Sequence, residues 1–191
     1  MYVKLNMSKG NELKEQGLKL HQQHDYEAAA RLFQQAQEAY EAEGAGDMAA
    51  EMLVNIGVIH RILGENQQAL DAMQTAMHVF KDLQDQDRVA KVLGNMGGVY
   101  TALGDKEQAY TAYREAADIF EELSDKQNYG ETLVAMGYLL IGNGKWFAGA
   151  TTIGEGLKYK ESLSTNERIM KGLAGIIGRV QGSSTNVGGD M

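Results

Sequence analysis

The chain has 191 residues, no cysteine and no proline, and a formal net charge of −8 at pH 7. The absence of cysteine excludes disulfides, thiolate nucleophiles and cysteine-ligated zinc or iron–sulfur centres. The acidic balance disfavours nucleic acid as a partner, and no apolar run reaches the roughly 20 residues that a membrane span needs. Because proline is the strongest helix breaker, its absence predicts a helical chain. The first ten residues lack the apolar core of a secretory signal, so we expect the protein in the cytoplasm.

A period of 40 residues runs through most of the sequence. Leucines and glycines recur at that spacing, alanines follow later in each unit, and a second set of glycines marks a turn within the unit. The positions in phase are Leu13, Leu53, Leu93, Leu133 and Leu173; Gly17, Gly57, Gly97 and Gly137; Ala36, Ala76 and Ala116; and Gly64, Gly104 and Gly144.

The residue pattern within each unit predicts two helices. In the third unit, apolar residues at helical spacing predict one helix over 88–103 and another over 106–123. Gly97 and Ala109 fall where two antiparallel helices must approach closely, and a larger side chain there would push the helices apart.

This pattern resembles the tetratricopeptide repeat. The 40-residue period is similar to the longer variety of that repeat, found in kinesin light chains and in adaptors that orient mitotic spindles. The resemblance implies an all-α fold, a right-handed superhelical α-solenoid of about four helix pairs with a C-terminal capping helix. The residues that carry it in the third unit are Leu93, Met96, Gly97 and Tyr100, then Ala109, Tyr113 and Ala116.

The repeat frame predicts the domain organisation. We expect four tandem units over residues 8–163, followed by the capping helix and a flexible, Gly/Ser-rich tail. The boundaries are approximately 8–46, 47–86, 87–126 and 127–163 for the units, 164–181 for the capping helix and 182–191 for the tail.

The predicted capping helix begins with a capping box, Ser164 and Glu167. Its apolar stripe is expected to cover the last repeat, which a repeat array requires at its end. Two alternatives remain open, a homodimer contact helped by glycines at spacing three and, less favoured, a membrane-surface helix with basic neighbours. The stripe consists of Ile169, Leu173, Ile176, Ile177 and Val180, and the glycines are Gly172, Gly175 and Gly178.

A solenoid of helix pairs usually binds its ligands in the concave groove that its first helices line. Asn55 and Asn95 occupy equivalent places one repeat apart, and an amide can hold the backbone of an extended peptide. In the adaptors that this sequence resembles, asparagines at this place do that work. We expect Glu51, Arg61, Lys91 and Tyr138 to add selectivity. The full predicted groove comprises Glu51, Val54, Asn55, Val58, Arg61, Lys91, Asn95, Gly98, Thr101, Glu131 and Tyr138.

Some tetratricopeptide modules clamp a C-terminal carboxylate, and Lys14, Asn55 and Lys91 match three places of that pattern. Leu18 and Asn95 stand where the pattern has Asn and Arg, so the clamp is incomplete.

No phosphate-binding loop, serine-hydrolase elbow or zinc-protease motif is present, so we expect no enzyme activity and no cofactor. His21 and His24 could share a helix face, but no second cluster completes a metal site. The sequence therefore predicts a protein-interaction scaffold that binds a partner peptide or helix. The alternative is a structural module that self-assembles through its C-terminal face.

Overall fold

The computed structural model describes residues 8–160 and 163–184, and for residue 165 and residues 178–184 it describes the backbone alone. Within these ranges the regular secondary structure is all α-helical, which confirms the expected fold class. The helices are α1 (Lys9–Gln22), α2 (Tyr26–Ala42), α3 (Gly46–Ile62), α4 (Asn66–Asp82), α5 (Gln86–Leu103), α6 (Lys106–Glu122), α7 (Lys126–Gly142), α8 (Trp146–Gly156) and α9 (Thr165–Ser184).

The chain divides into two compact units, one up to Leu103 and one from Gly104 onward. In the first unit, each of the helices α1 to α4 packs on the next one along the chain, and α3 also contacts α5. In the second unit, α6 packs on α7, α7 on α8 and α8 on α9. Neighbours in sequence are therefore neighbours in space, as expected for a helical repeat.

Glycines on α1 let α2 pack closely against it. A Cβ atom added at Gly10 would lie 2.5 Å from Cδ1 of Tyr40, and one added at Gly17 would lie 2.7 Å from Cε1 of Phe33. From Gly10 to Gly17 along α1, the contacted residue on α2 changes from Tyr40 back to Phe33, so the two helices run antiparallel.

The same close approach recurs at equivalent positions of other repeats. A Cβ atom at Gly57 would meet Cγ of Met73 at 3.0 Å, and one at Gly137 would meet Cγ1 of Ile153 at 2.5 Å. These separations are shorter than an ordinary van der Waals contact, so a larger residue would separate the helices. The glycine of the first helix therefore sets the spacing within each of these pairs.

The core lies between the paired helices. Its largest fully buried side chains come from first and second helices alike. They are Tyr40, Phe33, Phe80, Met52, Ile59, Met73, Ile153, Leu157, Val92 and Val99.

A residue in the left-handed conformation ends each helix from α1 to α7, and these residues are spaced by 20. Four are glycines, including the three that the sequence predicts as turns. The other three carry side chains, although a left-handed backbone costs such residues about 1–2 kcal/mol. The residues and their φ angles are His24 (63°), Gly44 (74°), Gly64 (81°), Gln84 (55°), Gly104 (76°), Ser124 (58°) and Gly144 (77°).

The residue after each left-handed position directly precedes the next helix. Asp25, Asp85, Asp105 and Asp125 each accept a hydrogen bond from the backbone N–H three residues later. These carboxylates satisfy amide groups that have no partner within the helix. In these four turns a left-handed residue and a capping aspartate reverse the chain, whereas Ala45, Glu65 and Lys145 take the second place in the other turns without a side-chain capping hydrogen bond.

α9 begins at the predicted capping box. The Ser164 N–H donates to Oε2 of Glu167 at 2.8 Å, and the Glu167 N–H donates to Oγ of Ser164 at 3.4 Å. Lys160 Nζ also donates to Oε1 of Glu167 at 2.6 Å. The helix continues to Ser184, three residues beyond the expected end, and the rest of the predicted tail lies outside the described residues.

Replacing Gln84 by glycine should stabilise the protein. Gln84 has a φ of 55°, and Gly removes the strain of that conformation at a partial cost in backbone entropy. We expect the Gln84→Gly variant to raise the free energy of unfolding by about 0.5–1 kcal/mol. Urea denaturation measures the change. The matched control, Gln74→Gly in the middle of α4, should lower the free energy of unfolding by about 1 kcal/mol. A lower free energy of unfolding in both variants would contradict the prediction.

Glu167 should titrate far below an ordinary glutamate. The hydrogen bond from Lys160, followed by those from Ser164, lowers the pKa of its carboxyl group from 4.5 to about 2. Because the folded pKa is depressed, the stabilisation is present above pH 4.5 and is lost as the pH falls towards 2. Carbon-detected NMR of the Glu167 carboxyl group measures the midpoint, and Lys160→Met should raise it. A midpoint near 4.5 in the unmodified protein would show that the contact is absent.

Candidate peptide-binding face

Nine of the predicted groove residues lie on two neighbouring helices of the first unit. They project from α3 and α5, which contact each other directly. We call this set the first-helix face, and it consists of Glu51, Val54, Asn55, Val58 and Arg61 on α3, with Lys91, Asn95, Gly98 and Thr101 on α5.

The first-helix face is accessible to solvent, whereas the opposite sides of its helices are buried in the core. All five of its α3 residues are half-buried, because they alternate with the buried side chains of Met52, Ile56 and Ile59. On α5, Lys91 and Thr101 are exposed and the other two members are half-buried. A ligand could therefore reach these side chains without any helix moving.

The two asparagines keep their hydrogen-bonding groups available. Asn55 and Asn95 are both half-buried, and neither side chain makes a hydrogen bond within the part of the chain that the structure describes. Each amide offers two N–H donors and an acceptor oxygen. Both could therefore bind the N–H and C=O groups of a peptide backbone.

Two charged members of the first-helix face already have partners. Lys14 Nζ on α1 lies 2.6 Å from Oε1 of Glu51 on α3, and Lys91 Nζ lies 2.7 Å from Oδ2 of Asp87 one turn earlier on α5. A ligand that used Glu51 or Lys91 would have to compete with these pairs. Lys14 and Lys91 are also the two lysines of the incomplete carboxylate clamp, so both lysines of that pattern are occupied.

Arg61 differs from these residues because it has no ion pair among the described residues. Its Nε atom is buried and has no hydrogen-bond acceptor among the described residues. A ligand oxygen could reach this Nε only if the side chain moved. Arg61 is thus a cation of the first-helix face that a ligand could bind without displacing a carboxylate of the described fold.

Arg88 holds α3 and α5 together at one end of the first-helix face. Its Nε donates to Oδ2 of Asp85 at 2.6 Å, and its Nη1 donates to Oδ2 of Asp47 at 3.2 Å. The guanidinium also lies 4.7 Å from the ring centroid of Phe80 on α4. The backbone and side-chain hydrogen bonds from Arg88 lower the pKa of Asp85 below its usual value. One side chain therefore links three helices of the first unit.

The two remaining predicted residues lie in the second unit, on α7. Tyr138 is half exposed, with 50% of its surface accessible. Glu131 accepts a hydrogen bond from Gln127 at 3.2 Å and lines a cleft of about 160 Å³ together with Tyr159, Lys160 and Glu167. Because the two units are separate bodies, the membership of Glu131 and Tyr138 in one groove with the first-helix face stays a prediction.

The histidines make local contacts. His24 Nδ1 lies 2.8 Å from the hydroxyl of Tyr26, whose ring also packs edge-on against His21. His60 Nδ1 lies 2.6 Å from Oε2 of Glu65. Among the described residues, no three His, Asp or Glu side chains come together as metal ligands would. No helix in the described ranges is both long and apolar enough to cross a membrane.

The sequence reasoning overlooked Trp146 and Phe147 at the start of α8. Both are exposed, at 65% and 67% of their surfaces. Their counterparts in the second and third repeats are polar, namely Asn66 and Gln67, and Lys106 and Glu107. Two aromatic residues at polar positions of the repeat were the signal that could have revealed this exposed pair.

Comparisons with known proteins agree with the helical repeat. Residues 47–122 match a family model described as tetratricopeptide repeat. The crystal structure of BtubC (BKLC) from P. vanneervenii matches with a TM-score of 0.69 and 17% sequence identity, over 84% of this chain and 72% of that chain. A search of curated proteins found no match.

Antiparallel helix pairs that repeat with a glycine-set spacing define a helical-repeat protein. The family match over 47–122 specifies the kind of repeat, and the match to BtubC shows the same fold over most of the chain. Residues 47–122 are therefore similar to the tetratricopeptide repeat family, and the chain shares the fold of BtubC.

Arg88→Lys should destabilise the first unit. Lysine keeps the charge but loses the planar fork that reaches Asp85 and Asp47 together, and it stacks less well on Phe80. We expect the free energy of unfolding to fall by about 1–2 kcal/mol, measured by urea denaturation. Lys91→Gln, which removes one exposed pair, should cost less than about 0.5 kcal/mol. Equal effects of the two substitutions would show that the Arg88 network adds nothing beyond a surface pair.

Proposed function

We propose that this protein is a non-enzymatic adaptor that binds a peptide or helix of a partner protein on its first-helix face. Tetratricopeptide repeats are generally protein-interaction modules, which is the class to which the match over 47–122 assigns this chain. The cytoplasmic location expected from the sequence stays a prediction.

The observation that carries the proposal is the pair of available amides. Asn55 and Asn95 lie on α3 and α5, which touch, and neither amide is used within the described fold. Packed helices have axes about 8–10 Å apart, which corresponds to roughly three residues of an extended chain. The two amides would then bind backbone groups about three residues apart, whatever the side chains of the peptide.

Selectivity would come from the neighbours of the asparagines. Arg61 is half-buried and has no ion pair among the described residues, so its guanidinium could bind a carboxylate or carbonyl oxygen of the ligand. Val54 and Val58 are half-buried and offer apolar contact along the same side of α3. Glu51 and Lys91 would contribute less than the sequence suggests, since each is held in an ion pair.

The experiment uses a peptide selected from a library of random 12-residue sequences on the unmodified protein. The Asn55→Ala/Asn95→Ala variant should bind this peptide with a free energy weaker by about 2 kcal/mol, or roughly 30-fold in Kd, measured by fluorescence anisotropy. Alanine is the better helix former, so the variant should remain folded.

The matched control is Gln34→Ala/Gln74→Ala. These amides are also 40 residues apart, but they lie exposed on the second helices α2 and α4. Their removal should leave the Kd unchanged. If the asparagine variant also binds as well as the unmodified protein, the peptide does not lie along Asn55 and Asn95 and the assignment fails.

The alternative, self-assembly through the C-terminal face, has one observation in its favour. Ile169, Leu173 and Ile176 of α9 are exposed instead of covering the last repeat. A homodimer through α9 predicts that sedimentation velocity detects a dimer at micromolar concentration, and that polar substitution of these residues removes it.

A further inference from the structure

Each of the second helices α2, α4 and α6 carries a buried aromatic residue at the same place in the repeat. These residues, Tyr40, Phe80 and Phe120, are at most 3% exposed. In the first repeat the ring lies over Gly10 on α1, since a Cβ atom added there would lie 2.5 Å from Cδ1 and 2.6 Å from Cε1 of Tyr40. The Tyr40 hydroxyl donates to Oδ1 of Asn11 at 2.7 Å. A phenol ring therefore fills the space over the start of this first helix.

The fourth repeat lacks this ring. Lys160 stands at the position of Tyr40. It lies beyond the end of α8 at Gly156, whereas α2 continues past Tyr40 to Ala42. Lys160 is exposed, and its Nζ donates to Oε1 of Glu167 at 2.6 Å. The position that holds a buried ring in three repeats thus holds an exposed lysine in the fourth.

The neighbouring aromatic residue, Tyr159, takes over only part of this role. At Gly130, the counterpart of Gly10, an added Cβ atom would lie 2.9 Å from Cβ and 3.5 Å from Cδ2 of Tyr159. The Tyr159 Cβ therefore contacts Gly130 more closely than its ring does, whereas at Gly10 the ring itself is in contact. The Tyr159 ring packs edge-on against Tyr129, with the ring centroids 5.4 Å apart.

A cleft of about 160 Å³ remains beside Tyr159. We call it the α7 cleft, and its lining includes Gly130, Glu131, Val134, Gly156, Tyr159 and Lys160. The two glycines are buried and contribute no side chain that could fill the space. Val134 and Tyr159 are half-buried and supply apolar surface, while Glu131 is exposed. The fourth repeat thus has an open cleft at the positions that the Tyr40 ring covers in the first.

The size of the α7 cleft suits one aromatic ring. An apolar cavity of about 150 Å³ holds a benzene molecule. The second and third repeats have Ala50 and Ala90 at the position of Gly10, whereas the fourth has Gly130. The fourth repeat therefore shares with the first the small residue over which a phenol ring lies.

Glu131 favours a ring that carries a hydroxyl group. It occupies the position of Asn11, which accepts the Tyr40 hydroxyl in the first repeat. Glu131 makes no ion pair within the part of the chain that the structure describes, and Gln127 donates to its Oε1 at 3.2 Å. Its second carboxylate oxygen can therefore accept a hydrogen bond from a ligand. Hydrogen bonds to an ionised acceptor are roughly twice as strong as those between neutral groups.

The α7 cleft opens on the accessible side of α7. Glu131, Val134 and Tyr138 follow one another at spacings of three and four residues, which places them on one side of the helix. Tyr138 is 50% exposed. A polypeptide segment whose side chain enters the cleft can therefore continue along α7.

We propose that the α7 cleft binds a tyrosine side chain of a partner protein. The ring lies over Gly130 as the Tyr40 ring lies over Gly10, and the hydroxyl donates to Glu131. Phosphorylation of this tyrosine abolishes binding, because a phosphate of charge about −2 would face the Glu131 carboxylate. The α7 cleft belongs to the second unit and binds independently of the first-helix face.

The experiment titrates the full 191-residue chain, isotope-labelled for NMR, with N-acetyl-tyrosinamide and with N-acetyl-phenylalaninamide. We expect saturable amide shifts at Gly130, Glu131 and Val134. The Kd of the tyrosine amide should be on the order of 1 mM, which is usual for a ligand of this size. The phenylalanine amide should bind about fivefold more weakly because it lacks the hydroxyl. N-acetyl-phosphotyrosinamide should cause no saturable shifts at these residues.

Two substitutions separate the hydroxyl and the ring contributions. Glu131→Ala should remove the preference for the tyrosine amide and leave the Kd of the phenylalanine amide unchanged, and it should fold because Glu131 is exposed. Val134→Asp should weaken both amides roughly tenfold, since it places a charge beside the ring. Its matched control is Val54→Asp at the equivalent position of the second repeat, which should bind both amides normally. Asn55→Ala/Asn95→Ala should also bind them normally, which distinguishes the α7 cleft from the first-helix face.

Four results would overturn the assignment. Two of them are the absence of saturable shifts at the residues of the α7 cleft and a Val134→Asp variant that binds both amides as the unmodified protein does. Equal affinities of the unmodified protein for the two amides would contradict the role of Glu131 and with it the choice of tyrosine. A dimer in sedimentation velocity that Val134→Asp abolishes would identify a second copy of the chain, instead of a partner protein, as the occupant.

Discussion

The close approach of two antiparallel helices at a glycine is the constraint on which the rest of the structure depends. Where Gly17 faces Phe33 and Gly137 faces Ile153, the first helix has no side chain between its backbone and its partner. The second helix can then cover the apolar side of the first while the opposite side stays polar and accessible. Asn55 and Arg61 are half-exposed on α3 for this reason.

The repeat frame made most of the fold predictable, because periodicity survives the substitution of single residues. The helices expected over 88–103 and 106–123 occur as α5 and α6 with ends shifted by at most two residues. The left-handed turns at Gln84 and Ser124 could not be predicted from residue type, since glycine is the residue that typically indicates that conformation. Packing on both sides of the turn offsets a cost of about 1–2 kcal/mol, and packing is not visible in a local pattern.

The candidate site was less predictable than the fold. Helical phase determines on which side of the helix a residue lies, but it does not determine which partner the charged end of a long side chain contacts. Phase placed Glu51 and Lys91 on the accessible side of α3 and α5, where the structure has them. Their ion pairs with Lys14 and Asp87 depend on long flexible side chains, which spacing does not specify. The apolar pattern of α9 indicated burial for the same reason, since periodicity shows that a face is apolar without showing that a partner covers it.

The distribution of paired and available charges decides which interactions the first-helix face can offer a ligand. On the first-helix face, ion pairs satisfy Glu51 and Lys91, so recognition there would rest on neutral amides and one poorly satisfied arginine donor. Neutral hydrogen bonds depend little on salt, and those made to the backbone of a peptide do not depend on its side chains. Raising the salt concentration should therefore leave a ligand held by the asparagines largely bound.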